Sequence, residues 1–321
     1  MTVLPASTVA HAAMPRPTAS LLRTGPLKAI YDVAAPAKLN AFLHITGRRP
    51  DGYHLLQSVF LLIDWCDTLN FELRTDGEIS REDLPDVSGQ ASAPLLPPDD
   101  LTVRAAKALQ RASGTTLGVH IGLVKRIPSQ AGMGGGSSDA ASCLLALQRL
   151  WDVRLPLIEM QGLALSLGAD VPFFLSPGPA WVEGVGEIVE PIAVPPARFA
   201  VLKPPQGVST AHIFSSPDLK RDTPTATIQG FAANNEASKP SDLDSIWKFG
   251  QNDLQPVAQK LCPQIFQALS WLSAHELEGR MTGSGSAVFA PLPFGKTLPS
   301  APSGWMLRIC DSLQIHPLAG W

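Results

Sequence analysis

The sequence lacks the features that would place a protein in a membrane, on nucleic acid or in an oxidising compartment. No apolar run in its 321 residues approaches the roughly 18 to 20 residues of a membrane-spanning helix. Basic residues show no excess, because 25 Lys and Arg stand against 28 Asp and Glu, which argues against general binding to nucleic acid or membrane surfaces. The four cysteines are far apart and form no CxxC pair. Their spacing argues against a disulfide framework or a zinc site and predicts buried, reduced thiols of a cytoplasmic protein.

What is present suits a two-domain globular protein. Hydrophobic residues make up 45% of the chain, and the length is too great for one small domain. Residues 1–27 contain no acid, and we expect a disordered extension there; a transit segment and a later start at Met14 are the alternatives. Residues 74–100 and 215–245 are polar and contain proline, which predicts loops.

The most informative stretch is "PSQAGMGGGSSDAA", from Pro128 to Ala141. It follows a segment in which Val119, Ile121 and Leu123 alternate, the period of a β-strand. Helical spacing follows the glycines, carried by four apolar residues: Ala140, Leu144, Leu147 and Trp151. Three side chains are expected to accept hydrogen bonds from the first helical turn: Ser137, Ser138 and Asp139. A glycine loop between a strand and a helix N-terminus predicts an anion site, and a phosphate above all.

This loop does not fit two common nucleotide-binding patterns. A Walker A loop ends in GK[ST], and no lysine follows these glycines. The dinucleotide pattern GxGxxG also fails, because its third glycine would fall on Ser137. A flexible turn without a ligand is the remaining alternative.

Two other stretches carry polar residues in apolar surroundings. In "APAKLNAFLHITGRRPDGYH", Lys38, Asn40 and His44 are expected on one strand face and Leu39, Ala41, Leu43 and Ile45 on the other. Such polar residues need partners if they are buried; an edge strand with a solvated face is the alternative. Pro50, Asp51 and Gly52 then predict a turn. In "LGADVPFFL", Asp170 is expected at the start of an apolar strand, where it could also simply cap a turn.

Together these stretches resemble the GHMP kinases, named for galactokinase, homoserine, mevalonate and phosphomevalonate kinases. The glycine loop matches the pattern P-x-x-x-G-[LM]-G-x-[GS]-S of their ATP loop. Within that superfamily the chain looks most like the family of 4-diphosphocytidyl-2-C-methyl-D-erythritol kinases. The resemblance runs from about residue 30 to residue 315 and covers residues 74–98 and 215–245 only loosely. It implies an α+β fold of two domains, with a left-handed βαβ unit in the N-terminal domain and an α+β C-terminal domain.

The resemblance also implies roles for individual residues. Lys38, Asn40 and Asp170 would form the reaction centre, with Asp170 as the base. Tyr53, His54, Thr210 and Phe214 would bind the cytidine of the substrate. The ATP site would comprise Pro128, Ser129, Gln130, Ala131, Gly132, Met133, Gly134, Gly135, Gly136, Ser137, Ser138, Leu101 and Lys125. The glycine turn of "MTGSGSAVFA", through Gly283 and Gly285, would close against this loop, whereas the role of Asn252 and Asp253 is less clear and a helix cap suffices for them.

One position departs from the family pattern. Before the predicted helix "LTVRAAKALQ" the family has D-N-L, whereas this chain has Asp99, Asp100 and Leu101. An ionised aspartate accepts hydrogen bonds and cannot donate them. The contact of Asp100 with adenine is therefore in question.

The function that the resemblance implies is a phosphoryl transfer. ATP would phosphorylate the 2-hydroxyl of 4-diphosphocytidyl-2-C-methyl-D-erythritol in the non-mevalonate route to isoprenoid precursors, with Mg²⁺ as a second cofactor. Residues 28–185 would form the ATP-binding domain and residues 186–321 the substrate-binding domain of a cytoplasmic monomer or weak homodimer. The metal ligands stay open. The alternatives are another GHMP kinase, such as a homoserine or mevalonate kinase, and an RNA-binding module of similar topology, against which the lack of a basic patch argues.

Overall fold

The computed structural model describes residues 27–87, 96–231 and 244–321. All but the last residue of the expected N-terminal extension therefore lie outside the described residues, as do parts of the two expected loops. Leu27 packs against a hydrophobic core that includes Leu69, Phe71 and Leu144. Among the described residues, no helix is long and apolar enough to cross a membrane.

Two long antiparallel strands begin the fold. The first strand, β1 (Ala29–Arg48), pairs along its length with β2 (His54–Arg74). The turn between them is closed by hydrogen bonds from the Gly52 amide to Arg49 and from the Arg49 amide to Tyr53, which confirms the predicted turn. The centre of β1 is buried on both faces, so the solvated face that the alternative required is wrong, although β1 pairs with β2 alone among the described strands.

The segment from residue 74 to residue 100 is not simply a loop. It contains β3 (Ile79–Asp83), which pairs in parallel with β4 (Gly118–Val124). Helix α1 (Leu101–Ser113) connects the two strands, so that β3, α1 and β4 make a βαβ unit. The polar composition of this stretch gives no strand pattern, because the residues of β3 are at most half-buried. The predicted left hand of the unit stays a prediction.

Helices cover the face of this first sheet. Helix α2 (Gly135–Leu150) follows the glycine loop as predicted, and α3 (Leu157–Leu167) packs beside it. The apolar run after Asp170 is not the expected strand, because Phe173–Leu175 form a single 3₁₀ turn with both phenylalanines buried. Strands β5 (Ala180–Gly184) and β6 (Ile188–Pro191) then form a hairpin that adds to β2.

The second half mixes short helices with antiparallel strands. Its elements are β7 (Arg198–Lys203), α4 (Thr210–Ser215), α5 (Asp244–Trp247), α6 (Gln255–Leu261), α7 (Pro263–Ala274), β8 (Arg280–Met281), β9 (Val288–Pro291) and β10 (Met306–Leu313). Strand β10 pairs with β7 and also with β2. This pairing joins the two halves. The main path through the sheet runs in the order β3-β4-β2-β10-β7-β9-β8, and β1 and the β5–β6 hairpin pair with β2 off this path.

An irregularity in β1 changes which residues share a face. The register with β2 shifts between Asn40 and Leu43, and one extra residue in a strand reverses the faces beyond it. Leu43 therefore lies beside Lys38 and Asn40 in one cavity, although alternation predicted it on the opposite face. His44 instead packs against the Phe42 ring, with centroids 4.8 Å apart, and its Nε2 accepts from the Gln251 amide.

The cysteines agree with the prediction from their spacing. Cys143, Cys262 and Cys310 are buried and Cys66 is partly buried, and all four are free thiols. Burial is the main cause that raises the pKa of Cys66 to about 11. None of the four lines the two cavities described below.

Candidate active site

The glycine loop leads straight into the first turn of α2. Gly132 and Gly134 have φ values of 70° and 69°, in the left-handed region that favours glycine. Gly134 is the N-cap of α2, and no side chain caps this helix. The expected capping by Ser137, Ser138 and Asp139 is thus wrong: among the described residues, the Ser138 hydroxyl has no hydrogen-bond partner and Asp139 turns to a lysine. The first amides of α2 are left for an external anion.

The loop is held on the free edge of β1 and against the second glycine turn. The Lys38 amide donates to the Met133 carbonyl at 3.0 Å. The Ser286 and Ala287 amides donate to the carbonyls of Gln130 and Ala131, at 3.0 and 3.2 Å. A Cβ on Gly132 would lie 2.2 Å from the Thr282 carbonyl oxygen, so only glycine fits there. The closure of the second glycine turn against the loop is therefore present.

A buried charge triad fixes both ends of the loop. Asp67 of β2 accepts from the Lys125 ammonium and from the amides of Arg126 and Ile127, the latter at 2.8 Å. The same ammonium donates to Asp139 in the first turn of α2 at 2.6 Å. The strand end before the loop and the helix after it are thus tied to one pair of carboxylates.

The charges of this triad influence one another. Burial lowers the pKa of Lys125, but Asp139 and Asp67 outweigh burial and raise it. Burial is also the largest cause that raises the pKa of Asp139, with Asp67 adding to it and Lys125 opposing it. The Lys125 ammonium therefore lies between two buried carboxyl groups at the wall of the cavity that the loop lines.

Lys38 and Asp170 form a second charged pair. The Lys38 Nζ lies 3.5 Å from Asp170 Oδ2, with the lysine buried and the aspartate one-third exposed. The same Nζ donates to Asn40 Oδ1 at 2.6 Å and lies 4.4 Å from the centroid of the Phe60 ring. Burial lowers the pKa of Lys38, and the negative charge of Asp170 opposes that shift. The pair joins a firmly held cation to a carboxylate that solvent and ligands can reach.

Asn40 is fully committed to neighbouring protein groups. Its Nδ2 donates to the Ser58 hydroxyl at 2.9 Å, and its Oδ1 also accepts from Thr282 at 3.2 Å. Its own amide donates to the same Thr282 hydroxyl at 3.0 Å. Asn40 thereby connects Lys38 to the second glycine turn, about 240 residues further along the chain.

Two cavities meet at the Lys38–Asp170 pair. The loop cavity, about 790 Å³ in volume, is lined by the glycine loop, Leu101 and Lys125. The aromatic cavity, about 700 Å³, is lined by Tyr53, His54 and Phe214. Their common wall holds Lys38, Asp170, Thr210 and Ser284. Groups bound in the two cavities would therefore face each other across a charged pair.

Most of the predicted ATP residues line the loop cavity. They are Leu101, Lys125, Pro128, Ser129, Gln130, Ala131, Gly132, Met133, Gly134, Gly135 and Gly136. Ser137 lines the aromatic cavity instead, and Ser138 is buried behind the loop. Asp100 accepts from the Val103 amide at 3.1 Å and caps α1. Asp100 also lines the loop cavity, and since asparagine and aspartate are equally good N-caps, the cap does not explain the departure from the family pattern.

The aromatic cavity is assembled from both halves of the chain. Tyr53 is exposed and does not belong to the hydrophobic core. The rings of His54 and Phe214 lie 4.9 Å apart between centroids, at an angle of 32°. Thr210 shares a 2.6 Å hydrogen bond with Ser284. All four predicted cytidine residues therefore lie around one cavity.

The residues that could hold Mg²⁺ are few. The described residues contain no group of three or more His, Cys, Asp or Glu with the geometry of a metal site. Mg²⁺ is often held by one or two carboxylates together with substrate phosphates and water. The partly exposed Asp170 carboxylate and the Ser137 hydroxyl, on one cavity wall, fit that limited requirement.

Sequence reasoning missed several residues of this site. Asp67 and the pairing of Asp139 were not predicted, nor were Thr282, Ser284 and Arg221. An acid inside the apolar run "FLLIDWCDTLNF" was a usable signal, because a buried carboxylate requires partners. The contacts of Thr282 and Arg221 join distant segments, and no local pattern indicates them. Asn252 and Asp253 also have structural roles. The Asn252 Nδ2 donates to the carbonyls of Met281 and Gly283, and the Asp253 carboxylate accepts from the Ile45 amide.

Comparison with known proteins gives consistent matches. The family model "GHMP kinases N terminal domain" matches residues 100–178, and "GHMP kinases C terminal" matches residues 232–296. A 4-diphosphocytidyl-2-C-methyl-D-erythritol kinase from a Polaromonas species is 70% identical over 301 residues, covering 92% of this chain and 95% of that protein. A solved 4-(cytidine 5′-diphospho)-2C-methyl-D-erythritol kinase is 33% identical, with a TM-score of 0.63 over 80% of this chain and 88% of its own.

A second solved structure shows what fold similarity leaves open. The homoserine kinase from Cytophaga hutchinsonii has a TM-score of 0.64 over 92% of this chain and 98% of its own, but is only 15% identical. The backbone therefore matches kinases with different substrates about equally well. The two-domain GHMP kinase fold follows from both structures, and the distinction between families rests on sequence identity.

Proposed function

The chain belongs to the family of 4-diphosphocytidyl-2-C-methyl-D-erythritol kinases, and we propose that it transfers the γ-phosphoryl group of ATP to the 2-hydroxyl of 4-diphosphocytidyl-2-C-methyl-D-erythritol. This reaction belongs to the non-mevalonate route to isoprenoid precursors. One observation carries the proposal: a loop cavity suited to phosphates and an aromatic cavity suited to a base share the wall that holds Lys38 and Asp170.

ATP occupies the loop cavity in this proposal. Its phosphates lie at the uncapped N-terminus of α2, where free amides and the helix dipole favour negative charge. Adenine lies near Leu101 and Lys125, which line the same cavity. The ATP-binding domain comprises residues 28–185, and the substrate-binding domain comprises residues 186–321.

Asp170 acts as the base at the junction. It accepts the proton of the 2-hydroxyl while that oxygen forms a bond to the γ-phosphorus, and the bond from this phosphorus to the bridging oxygen of ADP breaks. Lys38 holds the carboxylate and places positive charge beside the transferred group. Asn40 acts through Lys38, because its Oδ1 accepts a hydrogen bond from the Lys38 ammonium. In phosphoryl transfer such positioning and charge stabilisation supply most of the rate enhancement.

Mg²⁺ would be held by the ATP phosphates, with the Ser137 hydroxyl as the protein donor, which leaves the Asp170 carboxylate for the proton. When bound, it neutralises phosphate charge. The proposal also includes the cellular location and the oligomeric state of the protein, which are the cytoplasm and a monomer or weak homodimer.

The cytidine lies in the aromatic cavity. Tyr53 and Phe214 come from opposite halves of the chain and stack on the base, and His54 meets its hydrogen-bonding edge. Thr210, at the junction of the cavities, lies near the link between base and alcohol. This aromatic set has no use in a kinase whose substrate carries no base, such as a homoserine or mevalonate kinase.

The test is ADP release with a panel of alcohols: 4-diphosphocytidyl-2-C-methyl-D-erythritol, homoserine and mevalonate. We expect turnover with the cytidine substrate alone. Turnover with homoserine or mevalonate but not the cytidine substrate would overturn the proposal, as would no turnover of any alcohol by a folded protein that binds ATP.

A further inference from the structure

The guanidinium of Arg221 is enclosed by four acceptors near the aromatic cavity. Its Nε donates to His54 Nε2 at 2.9 Å. Its terminal nitrogens donate to the carbonyls of Leu219, Phe214 and Ser216, at 2.9, 3.0 and 2.8 Å. Arg221 therefore binds the imidazole at the start of β2 and the backbone that carries Phe214.

This arrangement determines where the proton of His54 lies. An arginine Nε–H can only donate, so His54 Nε2 must be an unprotonated acceptor. A neutral imidazole then carries its single proton on Nδ1. Burial, followed by the charges of Arg221 and Arg48, lowers the pKa of His54 and favours the neutral ring. Among the described residues, no other group hydrogen-bonds this ring.

The free Nδ1–H matches what a cytosine offers. The ring nitrogen N3 and the carbonyl oxygen O2 of that base are acceptors on adjacent positions of one edge. A donor aimed at this edge is useful only if the ring is fixed in the right tautomer and orientation. A free imidazole would divide its population between two tautomers and lose that advantage on binding.

We propose that Arg221 is a positioning residue for substrate choice: it holds His54 as the Nδ1–H tautomer, so that the ring donates to the acceptor edge of the cytosine, and it fixes the Phe214 backbone beside it. This inference rests on the proposed function. Arg221 itself does not line the aromatic cavity, so it acts through His54 and Phe214.

The tautomer is tested first, on the full chain without substrate. Nitrogen-15 NMR of histidine-labelled protein, with His54→Gln to assign the signal, reports which ring nitrogen carries the proton. We expect a protonated Nδ1 and an unprotonated Nε2 in the native chain. A protonated Nε2 there would overturn the proposal, and this result does not depend on which alcohol the enzyme phosphorylates.

Kinetics of Arg221→Met then test the consequence for the substrate. We expect a mixture of His54 tautomers and a KM for the cytidine substrate raised about 10-fold, the upper range for one lost hydrogen bond, with the KM for ATP within about 2-fold. Lys220→Met removes a neighbouring exposed charge and should change neither KM. An unchanged KM for the cytidine substrate, or an equal rise in both KM values, would contradict the proposal.

Arg221→Lys provides the conservative comparison. A lysine retains one donor for His54 but cannot reach all three carbonyls, so we expect the Nδ1–H tautomer to persist with an intermediate KM. It also covers the case in which Arg221→Met does not fold. Loss of the tautomer in a folded Arg221→Lys variant with native KM would count against the proposal. A native protein that phosphorylates no cytidine alcohol would instead refute the proposed function and leave the tautomer result standing.

Discussion

The loop cavity and the aromatic cavity are built in opposite ways. The loop cavity takes its largest continuous share of lining, ten residues, from the glycine loop and the residue before it, residues 127–136. The aromatic cavity takes side chains from β1, from β2 and the turn before it, from α4 and from the segment around Asp170. A backbone-built site is fixed by local geometry, whereas a side-chain-built site depends on how distant segments pack. Substitutions in the two cavities should therefore affect ATP binding and binding of the cytidine substrate separately.

The largest effect is expected where the cavities meet. Asp170→Asn keeps the shape of the side chain and removes the proton acceptor, so kcat should fall about 10²- to 10⁴-fold. ATP affinity, measured by equilibrium binding, should stay nearly unchanged. Asp152→Asn is the matched control, because it removes an exposed aspartate on neither wall. An Asp170→Asn enzyme that keeps more than half of its kcat would rule out the base role.

The next effect concerns the support beneath the loop. Lys125→Met should lower the free energy of unfolding by about 3 to 5 kcal/mol, because it leaves two buried carboxylates without their cation. It should also weaken ATP binding. Denaturant unfolding measures the first effect and ATP titration the second. Lys107→Met breaks the exposed pair with Asp99 and should cost less than about 1 kcal/mol. Equal stability losses in the two variants would show that the triad adds nothing.

The aromatic cavity should respond through one substrate only. Phe214→Ala removes a stacking surface worth roughly 1 to 3 kcal/mol, or about 5- to 150-fold in affinity for the cytidine substrate. ATP affinity should not change. Phe294→Ala, at an almost fully exposed phenylalanine, serves as control. A lowered thermal midpoint with both KM values unchanged would instead make Phe214 a packing residue.

The smallest effect tests the backbone of the glycine loop. Gly134→Ala would place a Cβ 2.9 Å from the Phe174 ring at a φ of 69°, a conformation that costs an L-residue about 1 to 2 kcal/mol. We expect the KM for ATP to rise about 5- to 30-fold. At Gly136 a Cβ meets only Leu101, at 3.5 Å, so Gly136→Ala should bind ATP normally. If Gly134→Ala bound ATP as tightly as Gly136→Ala and the native chain do, the loop would not be part of the phosphate site.

Gly135→Val would not test the left-handed backbone conformation of the loop, because Gly135 lies inside α2 and has no positive φ. There a Cβ would press on Ile127 at 3.0 Å and approach the Lys125 ammonium at 3.4 Å. That change would disturb the triad and the loop together. Substitutions at Gly134 and Gly136 change the loop alone, because the nearest atoms to a Cβ at either position do not belong to the triad.

The contrast between the cavities also explains what could be predicted. Strand β4, the glycine loop and α2 were predictable because a 2-residue period, a glycine cluster and a 3.6-residue period are local properties. The apolar run after Asp170 predicts a strand wrongly, because it is too short for periodicity to separate a strand from a turn. β3 was missed because its residues are half-buried and polar, and the face change in β1 was missed because a bulge leaves no reliable trace in sequence.

The sequence by itself determined the loop chemistry, the family and the residue types of the reaction centre, since each is carried by a contiguous motif. Only the tertiary structure decided that Lys38 lies 3.5 Å from Asp170 and that Thr282 supports Asn40. It also decided that Arg221 reaches His54, 167 residues away. These contacts depend on strand register and on the packing of two halves joined through β10. Proximity across such distances is a property of the whole fold, because no local backbone preference encodes it.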